Sequence, residues 1–158
     1  MIATVCIVAI VAFGGGASFA AESAVPGDIL YGVKTTMNEN VRGALALGEQ
    51  ANADWHVQLA ERRLKEAEQL SARGSLTSDV AADLAARFGA NADVALKTAA
   101  DLASKGDKDG ADEIAAELST ALREHSNAFG SIQVGTPGDG NAKLLGVLNG
   151  FSARVNTE

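Results

Sequence analysis

Between Ser78 and Lys105 apolar side chains return at alternating steps of four and three: Ala81, Ala85, Phe88, Ala92, Ala95, Ala99 and Leu102. That spacing lays them along one seam of a helix. A strand, with its period of two, does not produce it. Most of the seam is alanine, the best helix former and a poor strand residue, so the surface that covers it is another helix at close range. Composition extends the argument to the whole chain, because 47% of residues are apolar but only 4% are aromatic. A core made of Ala, Leu and Val suits helix on helix. The fold class expected is all-α: an antiparallel helical bundle of about four helices plus a short C-terminal helix, preceded by a hydrophobic segment.

Glycines divide the rest. Pro26 and Gly27 form a turn, and Asp28 is placed to cap a first helix predicted over 29–47, whose Val33, Met37, Val41, Ala44 and Leu45 make one greasy face. Gly48 ends it. A second helix, 49–73, carries Trp55, Leu59, Ala60, Leu64, Ala67 and Leu70 along its apolar edge, and Gly74 is placed to end it in a left-handed conformation. The third helix spans 78–105. Gly106 closes it, and a fourth helix over 110–129 continues the pattern with Ile114, Leu118, Ala121, Leu122, His125 and Phe129. Short links of this kind force antiparallel neighbours. After Gly130 the stretch GSIQVGTPGDG breaks the pattern, and Leu144, Leu148, Phe151 and Val155 then mark a short amphipathic helix. The organisation expected is a bundle domain over 22–130, a Gly/Pro linker over 131–140 and a C-terminal helix over 141–158.

From Ile2 to Ala21 no side chain is charged, and as helix this stretch measures about 30 Å, enough to cross a hydrocarbon core. The strongly apolar part is Ile2 to Phe13. Gly14 to Gly16 loosen the helix beyond it, and Ser18 to Ala20 offer the small residues that a signal peptidase reads. Residues 1–21 are therefore expected to be a signal peptide or a membrane anchor, with everything after them exported; a buried core helix of a cytoplasmic protein is the alternative. The first basic residue is Lys34, so the positive-inside rule has nothing to count before the segment, and cleavage and retention both stay open.

The net charge of −7 and the absence of a Lys/Arg cluster set the chain against nucleic acid as a partner. The single cysteine, Cys6, excludes an intramolecular disulfide. Arg63 falls in the middle of the stripe formed by Leu59, Ala60, Ala67 and Leu70, so its stem must lie on the core and its guanidinium must find an acceptor there. The structural hypothesis is that Arg63, with Arg62, ties the second helix to Asp28 or Glu39 on the first; an anion site is the functional alternative. His56 and His125 lack a second ligand at metal spacing and read as packed or capping residues. Asp107, Asp109 and Asp112 lack the spacing of a calcium loop and read as an acidic helix start. No motif groups a nucleophile with a base. No catalytic residue, cofactor or metal ligand is therefore assigned, and the chain is expected not to be an enzyme.

Three blocks in order, AAESAVPGDILYGVK, NENVRGALAL and LAERRLKEAEQL, resemble a bacterial family of exported or membrane-tethered helical domains, domain of unknown function 5667. The resemblance covers about 21–129. It implies a helical domain in the cell envelope and brings no catalytic residues with it. Gly32 stands where the family pattern has proline after the Leu-Tyr pair, which softens the start of the first helix. Tyr31, Pro26, Gly27 and Asp28 keep structural roles: a ring to pack, a turn and a cap. The expected function is a noncatalytic interaction or sensory module acting on an envelope protein. The membrane is a further partner if the N-terminal segment is retained, and homo-oligomerisation through the third helix is open. The alternatives are a periplasmic-type metal or small-ligand sensor built on His56, His125 or the acidic turn, and a structural spacer.

Overall fold

The computed structural model describes residues 20–132 and 139–155, so the signal-or-anchor reading of 1–21 and most of the expected linker lie outside the described residues. Those described are helical, with no strand among them. None of their helices is long and apolar enough to cross a membrane. The chain divides into two compact units, up to Leu45 and from Ala46 onward.

In the first unit the Pro-Gly turn is closed by two reciprocal bonds. The Asp28 amide donates to the Val25 carbonyl, and the Val25 amide donates to the Asp28 carboxylate, both at 2.9 Å. Asp28 therefore reaches backward, and the expected forward cap is not made: Leu30 stands at the N-cap without a side-chain bond. The reason is local. The Tyr31 amide is already held by the Asp28 carbonyl at 3.1 Å, and Gly27 at φ +100° turns the chain so that the carboxylate faces Val25. The helix consequently starts at Tyr31 and not at Ile29, as α1 (Tyr31–Val33), a π-turn (Lys34–Asn38) and α2 (Glu39–Leu45). Hydroxyls of Thr35 and Thr36 donate to the carbonyls of Tyr31 and Gly32, competing with the backbone ladder where it widens.

This helix is turned the opposite way to the sequence expectation. Lys34, Asn38 and Arg42, four residues apart, face the preceding turn: Lys34 Nζ donates to the Ala24 carbonyl at 2.9 Å, Asn38 donates to Glu22 at 2.9 Å, and Arg42 lies 3.8 Å from Glu22. Met37, Val41 and Leu45 are 58%, 61% and 73% exposed. Within this unit Lys34 is buried and Asn38 half-buried, Arg42 is exposed, and the greasy stripe faces outward.

The second unit contains α3 (Glu49–Ala72), α4 (Ser78–Ser104), α5 (Lys108–Ile132) and α6 (Asp139–Val155). Gly74 at φ +66° and Gly106 at φ +92° end α3 and α4 with the same pair of bonds. Gly74 and Ser75 amides donate to the Ser71 and Leu70 carbonyls; Gly106 and Asp107 amides donate to those of Ala103 and Leu102. This is the glycine-dependent stop that frees the chain to reverse. The next helix begins at once, with Thr77 accepting from Val80 N at 3.3 Å and Asp107 from Gly110 N at 3.1 Å. The reversals bring Lys105, just past α4, to Glu49 at the start of α3, and Gln50 of α3 to Glu113 of α5, so α3 and α4 run antiparallel.

All seven residues of the α4 seam are buried, as are Trp55, Ala60, Leu64, Ala67 and Leu70 of α3, and Ile114, Leu118, Ala121, Leu122, His125 and Phe129 of α5. Leu59 is half-buried. Among the described residues the second unit is by itself a bundle of four helices, the fourth being the C-terminal helix. α6 packs against α4 and α5, opposite α3. Leu144 and Leu148 are fully buried, and the Phe151 ring meets Phe88 edge-on at 5.0 Å. The close fit depends on small residues: a side chain on Gly140 would lie 2.7 Å from the Leu76 carbonyl, and one on Gly89 would lie 3.3 Å from the Phe151 ring. α5 runs through Gly130 to Ile132, and α6 begins at Asp139, so helix occupies both ends of the expected 131–140 linker. One glycine inside a helix costs only about 1 kcal/mol relative to alanine, which packing elsewhere on α5 outweighs.

A candidate interaction groove between α3 and α5

Helices α3 and α5 each set several polar side chains beside a buried apolar floor. On α3 the relevant positions are Asp54, Val57, Gln58 and Glu61; on α5 they are Glu113, Ala116, Glu117, Thr120, Ala121 and Glu124. Steps of three and four keep each set on one side of its helix. Val57 and Ala121 are buried at the bottom, and an open groove of about 540 Å³ lies between the two rows.

Its charge is one-sided. Lys65 reaches Glu61 at 2.7 Å, and Gln50 donates to Glu113 at 2.7 Å. The remaining lining groups leave Glu117 among like charges. Loss of hydration, then the nearby charges of Asp54, Glu113 and Glu61, raises the Glu117 pKa above the ordinary carboxylate value. Asp54 is raised likewise, first by burial and then by Glu113, and its Oδ1 is buried without a hydrogen-bond partner. Glu117 is exposed, so its repulsion is damped by solvent. A surface of this kind attracts a cation with an apolar stem, such as a lysine or arginine side chain, whose methylenes meet the floor while its charge meets the walls.

The residues singled out from sequence lie elsewhere. Arg63 is buried, as its place in the stripe requires, and its guanidinium is 3.3 Å from Glu66, itself 1% exposed. Glu66 is thus the buried partner of Arg63, although i,i+4 spacing alone pairs it with Arg62. Arg62 lies over the Trp55 ring at 5.5 Å. His56 Nδ1 bonds Asn91 Oδ1 at 2.8 Å and joins α3 to α4; His125 Nδ1 bonds Glu68 Oε1 at 2.7 Å and joins α5 to α3. Among the described residues no group of three or more His, Cys, Asp or Glu side chains is placed to hold a metal ion. Asp107 caps α5, while Asp109 lies in its first turn. Tyr31 opens α1 and Glu39 opens α2, both half-buried.

Sequence reasoning missed the groove. A signal was present: Glu113, Glu117, Thr120 and Glu124 share one side of α5, and Glu113 and Glu117 are like charges at i,i+4, an arrangement that disfavours the helix unless something else selects it.

No curated protein and no solved structure matches the chain. A family model does, over residues 23–117, a somewhat shorter stretch than the resemblance covers, running from the Pro-Gly-Asp turn through α3 and α4 into α5. Since that match takes in more than half of the sequence, the chain belongs to the family described as domain of unknown function (DUF5667).

Proposed function

We propose that the protein is a noncatalytic, extracytoplasmic interaction module of the bacterial cell envelope, and that the α3–α5 groove receives a cationic segment of a protein partner. The observation that carries this reading is the groove's unbalanced charge: carboxylates line both walls, and the pKa values of Glu117 and of the neighbouring Asp54 are raised by loss of hydration and by nearby carboxylates. A bound cation removes that repulsion, so the site is more favourable filled than empty. Export and membrane association enter through residues 1–21, whose charge-free composition suits a signal or an anchor. The two histidines support the noncatalytic part, since each bonds a side chain of a neighbouring helix and acts as a strut.

The test uses a defined probe, a short peptide of alternating lysine and alanine, titrated into the isotope-labelled protein. Chemical-shift changes should concentrate on Gln58, Glu61, Glu113, Glu117 and Glu124, weaken with added salt, and disappear in Glu113→Gln/Glu117→Gln. Shifts scattered over the acidic surface, or undiminished in that double variant, would overturn the assignment.

A further inference from the structure

The geometry points to a lipid-facing role for the first unit: the outer face of the 31–45 helix, Met37, Val41 and Leu45, lies in the bilayer interface beside the N-terminal segment. This inference rests on the reading of residues 1–21 as a retained anchor. Three observations carry it.

The first is where exposed apolar side chains occur. Among the described residues the large ones are Ile29, Met37, Val41, Leu45, Leu47 and Val94, and only Val94, the least exposed at 38%, lies beyond Leu47. The bundle covers its greasy residues, whereas the 29–47 stretch presents them. Scattered exposed apolar groups are ordinary on a soluble surface; a set confined to one short stretch is not.

The second is the helix's inverted orientation. Lys34 is buried against the Ala24 carbonyl and Asn38 is half-buried against Glu22, with Arg42 exposed 3.8 Å from Glu22, although in water a lysine outward and the apolar stripe inward is favoured. Thr36, Met37, Asn40, Val41, Ala44 and Leu45 are exposed and uncharged, and the exposed charge next to them is Arg42, whose guanidinium is drawn toward Glu22. Such a face suits the boundary between headgroups and acyl chains.

The third is reach. Residues 14–19 join the strongly apolar stretch ending at Phe13 to Ala20, the first described residue, and at full extension six residues span about 20 Å. An anchored segment therefore keeps this unit within that distance of the bilayer. The unit contains no cluster of basic residues, so attraction to anionic lipid contributes little, and the tether's high effective concentration makes a weak apolar contact persistent. Lipid is thus the occupant the chain itself delivers to this face.

The experiment uses the full chain in a Cys6→Ala background, reconstituted into phosphatidylcholine vesicles. An environment-sensitive fluorophore is attached at Met37→Cys, Val41→Cys, Leu45→Cys or, for comparison, Val94→Cys. Flotation reads the anchor, and quenching by lipids brominated near the glycerol region reads the face. The chains should float, and the three stripe probes should shift to the blue and be quenched about threefold more than the Val94 probe, as expected for groups about 5–10 Å into the interface. Adding Val41→Asp should abolish quenching at position 45 while flotation and helix content stay unchanged. Floating chains with unquenched stripe probes would sink this inference alone, as would stripe probes that crosslink to one another without bromine quenching, the sign of a second copy. Equal quenching at Val94 would do the same. Chains that fail to float would remove the anchor reading, and this proposal with it.

Discussion

Replacing Gly140 with alanine tests whether α6 is an integral fourth helix of the bundle. An added Cβ would sit 2.7 Å from the Leu76 carbonyl oxygen, 3.1 Å from Leu76 Cγ and 3.1 Å from the Thr77 carbonyl. Two of these atoms are backbone and cannot swing aside. The start of α6 must withdraw by several tenths of an ångström, which strains the 2.8 Å bond between Ser71 and Asn141 and lifts Leu144 from its buried site. Overpacking of this kind costs about 1–3 kcal/mol, and a lost hydrogen bond about 0.5–1.5 kcal/mol. Opposing them is alanine's advantage over glycine inside a helix, up to about 1 kcal/mol. Gly146→Ala isolates that last effect, because on the same helix its Cβ would meet nothing within 4 Å. Urea denaturation followed by circular dichroism and by Trp55 fluorescence should therefore place the two variants on opposite sides of the parent. Gly146→Ala should gain roughly 0.5–1 kcal/mol, and Gly140→Ala should lose about 1–2 kcal/mol, the strain exceeding the propensity gain. Equal midpoints for the two variants would refute the claim that α6 docks through this contact.

Arg63→Met removes the guanidinium 3.3 Å from the buried Glu66 carboxylate and should destabilise by about 3–5 kcal/mol; an unchanged melting temperature in this variant would count against the pair. For Glu117 the sign follows from a pKa raised in the folded state: the native form holds the proton more tightly than the unfolded form, so its charge opposes folding at neutral pH and the opposition fades as pH falls through the raised value. Glu117→Gln should accordingly raise the melting temperature at neutral pH, with a gain that shrinks toward the acid end of a pH series. Asp107→Ala removes the acceptor for Gly110 N and should cost about 1 kcal/mol by thermal denaturation, whereas Asp107→Ser should retain most of the stability.

Much of the bundle could be read from local pattern. The α4 seam was legible because its repeat of four and three is a property of one helix, and burying alanine in that way admits no other secondary structure. The stops at Gly74 and Gly106 were legible because each takes a positive φ that side-chain-bearing residues rarely adopt, whereas Gly48, also at positive φ, stands at the N-cap of α3 and the helix before it ends at Leu45. Asp28 was misread for want of the same information: which amide a short carboxylate meets depends on how Gly27 turns the chain, and the string of letters does not carry that angle.

Which stretches are helical, the turns at Gly74 and Gly106 and the greasy edge of each helix are what the sequence by itself determined, because they arise from the conformational preferences of residues within a few positions of one another. Tertiary structure alone decided what each edge faces. It made α6 the fourth bundle helix, turned Met37, Val41 and Leu45 outward while Lys34 went in, and aligned α3 with α5 so that carboxylates more than fifty residues apart share one groove. Periodicity states that a stripe exists; what lies against it is settled by contacts between distant segments, and their energies appear only when the whole chain is packed.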